Sequence, residues 1–157
     1  MKSLHATEEQ EHIAFIQWAQ TQKSCKDYLI HIPNGEKRDI KTATKLKRMG
    51  VRPGVSDFFL AKPYGSYAGL WMELKRIGGK LTDAQRRWLE NMEDLGYMAC
   101  ICFGSLGAID CVQYYLGYGS SMGFKTFSTI EYFGMKQFKE RNNNEKLLNL
   151  RGLRKTN

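Results

Sequence analysis

The chain has 157 residues, of which 42% are hydrophobic and 12% aromatic, and these proportions predict one globular domain with a hydrophobic core. A net charge of +8 and an isoelectric point near 9.4 indicate a polyanionic partner, without separating enzymes from other nucleic-acid-binding proteins. No run approaches the ~18 apolar residues of a membrane span, and the N-terminus lacks the apolar segment of a secretion signal, so we expect a soluble, cytoplasmic protein with no membrane partner.

The first predicted element is a helix over residues 8–22. Thr7 and Gln10 form a capping-box pattern at its start. Apolar residues recur on one of its faces, namely Ile13, Phe15, Ile16, Trp18 and Ala19. The acidic residues of the first turn complement the helix dipole, and they are Glu8, Glu9 and Glu11.

A short strand over residues 28–32 and a turn at residues 33–35 lead into a basic segment. Residues 36–52 contain seven lysine and arginine residues against two acidic ones. A solvated face is the ordinary role of such a run, but its position just before the hairpin described next also fits a track for a phosphate backbone. Three of its residues are therefore candidate substrate contacts: Lys45, Lys47 and Arg48.

Two apolar runs, residues 56–61 and 69–74, flank a turn and predict a β-hairpin. Asp57 opens the first strand, and alternation along the second places Glu73 and Lys75 on one face and Leu74 on the other. Two carboxylates that converge with an ammonium fit a Mg²⁺ site whose other ligands are water and a substrate phosphate. The alternative is a structural salt bridge between Lys75 and one of the carboxylates.

Thr82 and Gln85 form a second capping box, at the start of a helix that stops near Gly96. Gln85 is either only a cap or also a contact to the site or to a phosphate. Residues 97–103 predict a strand and residues 105–116 a helix, which completes an α/β order with helices on both faces of the sheet. Glycine and serine residues then mark a linker, residues 129–141 are expected to be helical, and residues 118–157 form a basic appendage that contacts DNA or another subunit.

The cysteine and histidine residues do not show the spacing of a metal site. The four cysteines are interpreted as reduced, mostly buried residues, and they are Cys25, Cys100, Cys102 and Cys111. The histidines are interpreted as ordinary polar or capping residues, and they are His5, His12 and His31. No phosphate-loop or dinucleotide glycine pattern is present, which argues against a nucleotide cofactor and against a nucleotide-binding α/β protein.

Three motifs follow one another along the chain: Gly54-x-x-Asp57, then Glu73-x-Lys75, then Gly78-Gly79-Lys80-Leu81-Thr82-x-x-Gln85-x-x-Trp88-Leu89. With Ile32-Pro33-Asn34-Gly35 and Arg38 upstream, they resemble the VRR-NUC family of the PD-(D/E)xK nuclease superfamily from about Glu8 to Leu116. Ser56 departs from the proline of many relatives, a residue that shapes the start of the strand and is not a ligand. The resemblance implies a restriction-endonuclease-like α/β core with a mixed central sheet, in a nuclease domain of residues 1–117.

The resemblance also implies roles for the matching residues. Asp57, Glu73 and the Leu74 carbonyl would hold Mg²⁺ or Mn²⁺, Lys75 would position or activate the attacking water, and Gln85 would assist. The first helix of the family contributes a further acidic residue to the metal site, for which Glu8 aligns best and Glu11 is the runner-up. Substrate contacts are expected from Asn34, Arg38 and Lys80.

The resulting hypothesis is a metal-dependent, structure-specific DNA endonuclease of bacterial or phage origin. Small stand-alone members of the family resemble resolvases that cut Holliday (four-way) junctions as homodimers in DNA repair, because two symmetric cuts need two active sites in a fixed relation. The alternatives are a nuclease that prefers flaps or nicked DNA, and a DNA-binding module that kept the fold and lost its chemistry. The intact set of Asp57, Glu73 and Lys75 argues against the binding module.

Overall fold

The computed structural model describes residues 6–33, 40–118 and 131–133. These residues form four helices, α1 (Glu8–Thr21), α2 (Ile40–Arg48), α3 (Asp83–Asp94) and α4 (Gly104–Tyr115). They also form five strands, β1 (Leu29–His31), β2 (Phe58–Leu60), β3 (Leu70–Lys75), β4 (Met98–Phe103) and β5 (Glu131–Phe133). Apart from α2, for which no bounds were predicted, the elements from α1 to α4 lie within a few residues of their predicted positions.

The strands form one mixed sheet in the order β1-β2-β3-β4-β5. The first three strands are antiparallel, and Phe58 of β2 lies opposite Met72 of β3, which confirms the predicted hairpin. Strands β3, β4 and β5 run parallel. The α/β class with a mixed central sheet, consistent with a restriction-endonuclease-like fold, is therefore confirmed.

Side-chain alternation along β3 and β4 creates two separate cores. Leu70, Met72 and Leu74 of β3 join residues of α1 and α4 in the larger buried cluster. On the other face, Ala99 and Ile101 of β4 pack with Leu89 of α3. Helices thus cover both faces of the sheet, and Leu74 anchors β3 in the larger core while its neighbours Glu73 and Lys75 point to the opposite face.

Both predicted capping boxes are present. At α1, the Thr7 hydroxyl oxygen accepts from the Gln10 N–H at 3.2 Å, and the Gln10 side-chain oxygen accepts from the Thr7 N–H at 2.9 Å. The start of α1 is therefore set by local sequence, because two N–H groups that lack helical partners are satisfied reciprocally.

All four cysteines are free and buried, as expected. Burial, together with the neighbouring thiols of Cys100 and Cys102, raises the pKa of Cys111 well above its ordinary value. The Cys111 thiol therefore stays protonated, and the buried cysteines act as small apolar residues of the core.

The helix expected over residues 129–141 is wrong at residues 131–133, which form β5 and pair with Cys100 to Cys102 of β4. Glu131-Tyr132-Phe133 has the aromatic character of a strand, and pairing satisfies the backbone groups of β4 that would otherwise form an open edge. The other residues of the proposed 118–157 appendage, apart from Tyr118, lie outside the described residues. Across the described ranges, no helix is long and apolar enough to cross a membrane.

Candidate active site

Asp57 lies directly before β2 and is tied to the backbone of β3. Its Oδ2 accepts a hydrogen bond from the Leu74 N–H at 2.9 Å, so the carboxylate is held between the positions of Glu73 and Lys75. The preceding loop approaches the start of α3 closely. Gly54 has a φ of 83°, and a Cβ there would lie 2.6 Å from the carbonyl carbon of Ala84, which explains why the motif needs glycine.

Glu73 is the most buried charged residue of the described structure, with 0% of its surface exposed. Its Oε1 accepts from Lys75 Nζ at 2.8 Å and from Gln85 Nε2. Its Oε2 is buried and has no partner among the described groups. Burial, followed by the nearby charge of Asp57, raises the pKa of Glu73 from 4.5 to about 7. Without a cation, this carboxylate is thus poorly satisfied.

Lys75 is held by carboxylates on two sides. Its Nζ lies 2.8 Å from Glu73 Oε1 and 3.6 Å from Glu8 Oε1. Burial works to lower the pKa of Lys75, but the charge and hydrogen bond of Glu73, with smaller contributions from Glu8 and Asp57, outweigh it and raise the pKa. Lys75 is therefore an ammonium in this structure, suited to donate hydrogen bonds and unsuited to accept a proton.

Gln85 has both of the roles that its position in the sequence left open. Its N–H donates to the Thr82 hydroxyl at 3.2 Å, and its side-chain Oε1 accepts from the Thr82 N–H at 2.9 Å, which completes the α3 cap. The same cap turns its Nε2 toward Glu73 Oε1, where it donates a hydrogen bond. Gln85 therefore fixes the orientation of the Glu73 carboxylate from the first turn of α3.

The two acidic candidates of α1 have different neighbours. Glu8 faces Lys75. Glu11 accepts from the Ser105 N–H through Oε2 at 2.7 Å, at the start of α4. This start has no other side-chain cap, because the capping position is Phe103. Glu11 therefore satisfies the N-terminus of α4, and Glu8 is the acidic residue of α1 that contacts the Asp57–Glu73–Lys75 cluster.

His12 also belongs to this neighbourhood, which the sequence analysis missed. Its Nε2 lies 3.7 Å from Asp57 Oδ2 and is buried without a hydrogen-bond partner among the described residues. Its ring packs against Phe58, with ring centroids 5.1 Å apart. The available signal was the spacing from Glu8, because residues four apart lie on the same helix face.

The predicted substrate contacts are separate from this cluster. The basic residues of α2 are exposed, and they are Lys41, Lys45, Lys47 and Arg48. Lys80 is also exposed, in the turn between β3 and α3. Asn34 and Arg38 lie outside the described residues.

The donor set fits a hard divalent cation. Three carboxylates, Glu8, Asp57 and Glu73, face a single lysine in the cluster. Burial raises the pKa of Asp57, although His12, the Leu74 N–H and Lys75 act to lower it. Among the described residues, no three histidine, cysteine or acidic side chains converge as a ready-made metal site. Asp57 and Glu73 alone would leave most of the coordination to water and a substrate phosphate, which is the coordination that Mg²⁺ favours.

The comparisons with known proteins agree with this geometry. The sequence model of the VRR-NUC domain matches residues 4–106. The chain belongs to the VRR-NUC family. A solved structure described as a VRR_NUC domain protein is similar to it with a TM-score of 0.64 and 29% sequence identity, over 80% of this chain and 98% of that chain. A search of curated proteins found no match.

Membership of the VRR-NUC family makes this a nuclease-type domain, of a kind that typically depends on a metal and acts on DNA. Ser56, which departs from the family motif, lies directly before Asp57. Its side chain is fully buried, and its hydroxyl has no hydrogen-bond partner in the described part of the chain. Ser56 is thus a small buried residue at the start of the hairpin.

Proposed function

We propose that the protein is a Mg²⁺- or Mn²⁺-dependent DNA endonuclease that hydrolyses phosphodiester bonds. The observation that carries this proposal is the buried Glu73 carboxylate with one unpartnered oxygen, beside Asp57. A salt bridge with Lys75 alone does not explain why the second carboxylate oxygen is buried without a partner, since buried polar atoms are normally hydrogen-bonded. A cation bound there removes both the unsatisfied oxygen and the repulsion between the two carboxylates.

The residues of the cluster have different roles in the proposed hydrolysis. Asp57 and Glu73, with the Leu74 carbonyl, would hold the cation, with Glu8 as a further acidic residue beside Lys75. When bound, the cation lowers the pKa of water and neutralises charge on the phosphate. Lys75 remains protonated, so its role is to donate to the attacking water or to a phosphate oxygen as negative charge develops there.

The basic residues contribute affinity instead of chemistry. Lys45, Lys47 and Arg48 of α2 are exposed to solvent, and Lys80 is exposed in the turn between β3 and α3. We assign all four to the phosphate backbone of DNA, and we assign the same role to Asn34 and Arg38. Such contacts do not distinguish sequences, and they weaken as salt rises because counterions are released on binding.

We further propose that the preferred substrate is branched DNA, with four-way junctions cut by a homodimer. A panel of labelled linear, flap, splayed-arm and four-way DNAs, with and without Mg²⁺ or Mn²⁺, tests this preference. A dimeric resolvase should show twice the chain mass of 18.1 kDa in light scattering and paired, symmetric cuts. A monomer that prefers flaps would contradict the junction proposal and leave the nuclease assignment intact.

The assignment of the chemistry is tested by Asp57→Ala, Glu73→Gln and Lys75→Ala. Each should abolish most cleavage, while DNA binding survives because it depends on the basic surface. Glu90→Gln, at an exposed carboxylate of α3, is the matched control and should cut like the parent protein. Circular dichroism and a thermal melt establish that each variant is folded. Cleavage at the parent rate by all three folded variants would mean that the cluster is structural.

A further inference from the structure

A groove that has Asp57 and Glu8 in its lining extends along residues that the chemistry proposed above does not use. It runs along α1, with the end of β1 and the start of β2 forming its other wall, and has a volume of about 830 Å³. This volume lies in the range of sites that enclose a small organic ligand. Asp57 and Glu8 are among its lining residues, so a group held in the groove would be adjacent to the phosphate that is cut.

The described lining of this groove has no positively charged side chain that would hold a phosphate directly. Within the described part of the chain, its lining has no lysine or arginine, and it has three carboxylates, Glu8, Glu9 and Asp57. In this it differs from the surface depression on α2, whose lining includes Lys41, Lys45 and Arg48. The two surfaces are therefore suited to different parts of a nucleic acid, since phosphate contacts require positive charge.

The remaining lining is apolar, aromatic and amide in character. Ile13 and Pro33 offer apolar surface, and His12 and His31 offer imidazole rings whose centroids are 5.6 Å apart. Gln17, on the groove wall, supplies an amide able to donate and accept. Flat rings, apolar contacts and a few polar atoms are the features that bind a nucleobase.

We propose that this groove binds an unpaired nucleobase of the DNA, next to the phosphate that is cut. The proposal rests on the nuclease function and names its substrate class. A base inside a duplex is stacked and paired, so only an extruded or single-stranded base reaches such a groove. The protein would therefore prefer DNA with an unpaired nucleotide at the cut position, as in a flap, a bulge or an opened branch point, over fully paired DNA.

The test compares two isoleucines of equal exposure. Ile13 lines the groove and is 50% exposed, whereas Ile30 is 49% exposed and is not among the lining residues. The variants are Ile13→Ser and the matched control Ile30→Ser, with Gln17→Ala as a second groove variant. Cut positions are first mapped on a flap DNA with Mn²⁺. Binding is then measured by fluorescence anisotropy without divalent cations, on the same flap and on versions that lack the base at single positions flanking the cut.

The parent protein should lose roughly fivefold to a hundredfold in affinity when the relevant base is removed, the range expected for one stacked base. Ile30→Ser should show the same loss. Ile13→Ser and Gln17→Ala should bind the intact flap more weakly than the parent protein. They should also lose less affinity when the base is removed, because the substitution and the base removal affect the same contact.

Equal affinity of the parent protein for the intact and base-free flaps would overturn the groove proposal while leaving the nuclease assignment in place, provided that the flap is cut. An equal loss of affinity on base removal in the parent protein and all three variants would also overturn the groove proposal, since the base would then be bound elsewhere on the protein. If no DNA is cut with either cation, the proposed function fails. In that case bases are removed one at a time along the whole flap, and a dependence of binding on one base that Ile13→Ser reduces and Ile30→Ser does not still decides whether the groove binds it.

Discussion

The buried Glu73 carboxyl should make the metal-free protein less stable as pH rises from weakly acidic to neutral. Burial first, and then the charge of Asp57, raises the pKa of Glu73 from 4.5 to about 7. Between these values the folded protein binds a proton that the unfolded chain releases. Stability from this group is therefore fully present below pH 4.5 and is lost as the pH rises through about 7.

The magnitude follows from the width of that interval. Each pH unit corresponds to about 1.4 kcal/mol for one proton, so Glu73 should lower the free energy of unfolding by roughly 3 kcal/mol between pH 4.5 and pH 7. Burial also raises the pKa of Asp57 and adds to the loss in the same direction. Glu73→Gln has no proton to release and keeps a side-chain oxygen for Lys75 and Gln85, so its stability should change less over the same range.

The assay is urea denaturation in EDTA, followed by tryptophan fluorescence, at several pH values from 4.5 to 8 for the parent protein and Glu73→Gln. Subtracting the two curves removes the contribution of the titrating groups that do not interact with Glu73. Saturating Mg²⁺ or Mn²⁺ at neutral pH should stabilise the parent protein more than the variant, since ligands that bind the folded state stabilise it. Parallel curves for the two proteins would refute the claim that Glu73 is buried and unsatisfied.

Three further outcomes are expected. Glu11→Gln should lower the free energy of unfolding by about 1 kcal/mol in urea melts, because α4 loses a charged cap. Glu8→Gln should leave the free energy of unfolding unchanged and lower the cleavage rate. The reverse pattern would exchange the roles of the two residues. Ser56→Ala should leave the melting temperature unchanged or higher, since it removes a buried hydroxyl without a partner, and a clear decrease would reveal a missed hydrogen bond. Binding titrations across salt concentrations should give a flatter slope, by up to about 0.9 per lost phosphate contact, after joint alanine replacement of Lys45, Lys47 and Arg48; an unchanged slope would make them a solvated face.

Local patterns were sufficient for most of the secondary structure. Capping boxes at Thr7 and Thr82 mark the starts of α1 and α3 because a cap involves only residues three apart. Strand alternation separated Leu74 from Glu73 and Lys75, since a strand has a period of two residues. The strand at residues 131–133 was missed, because its pairing with β4 joins residues about thirty positions apart in the sequence.

The sequence by itself determined which residues are candidates for chemistry, through the family motif and the spacing of Asp57, Glu73 and Lys75. Only the tertiary structure showed that Glu8 contacts Lys75 and that Glu11 contacts the start of α4, because both lie in the first turn of α1 and differ only in the element that each one faces. It also brought His12 to Asp57 and left Glu73 Oε2 without a partner. Contacts of this kind depend on how α1, α3 and the hairpin pack together, and no periodicity within one element encodes that packing.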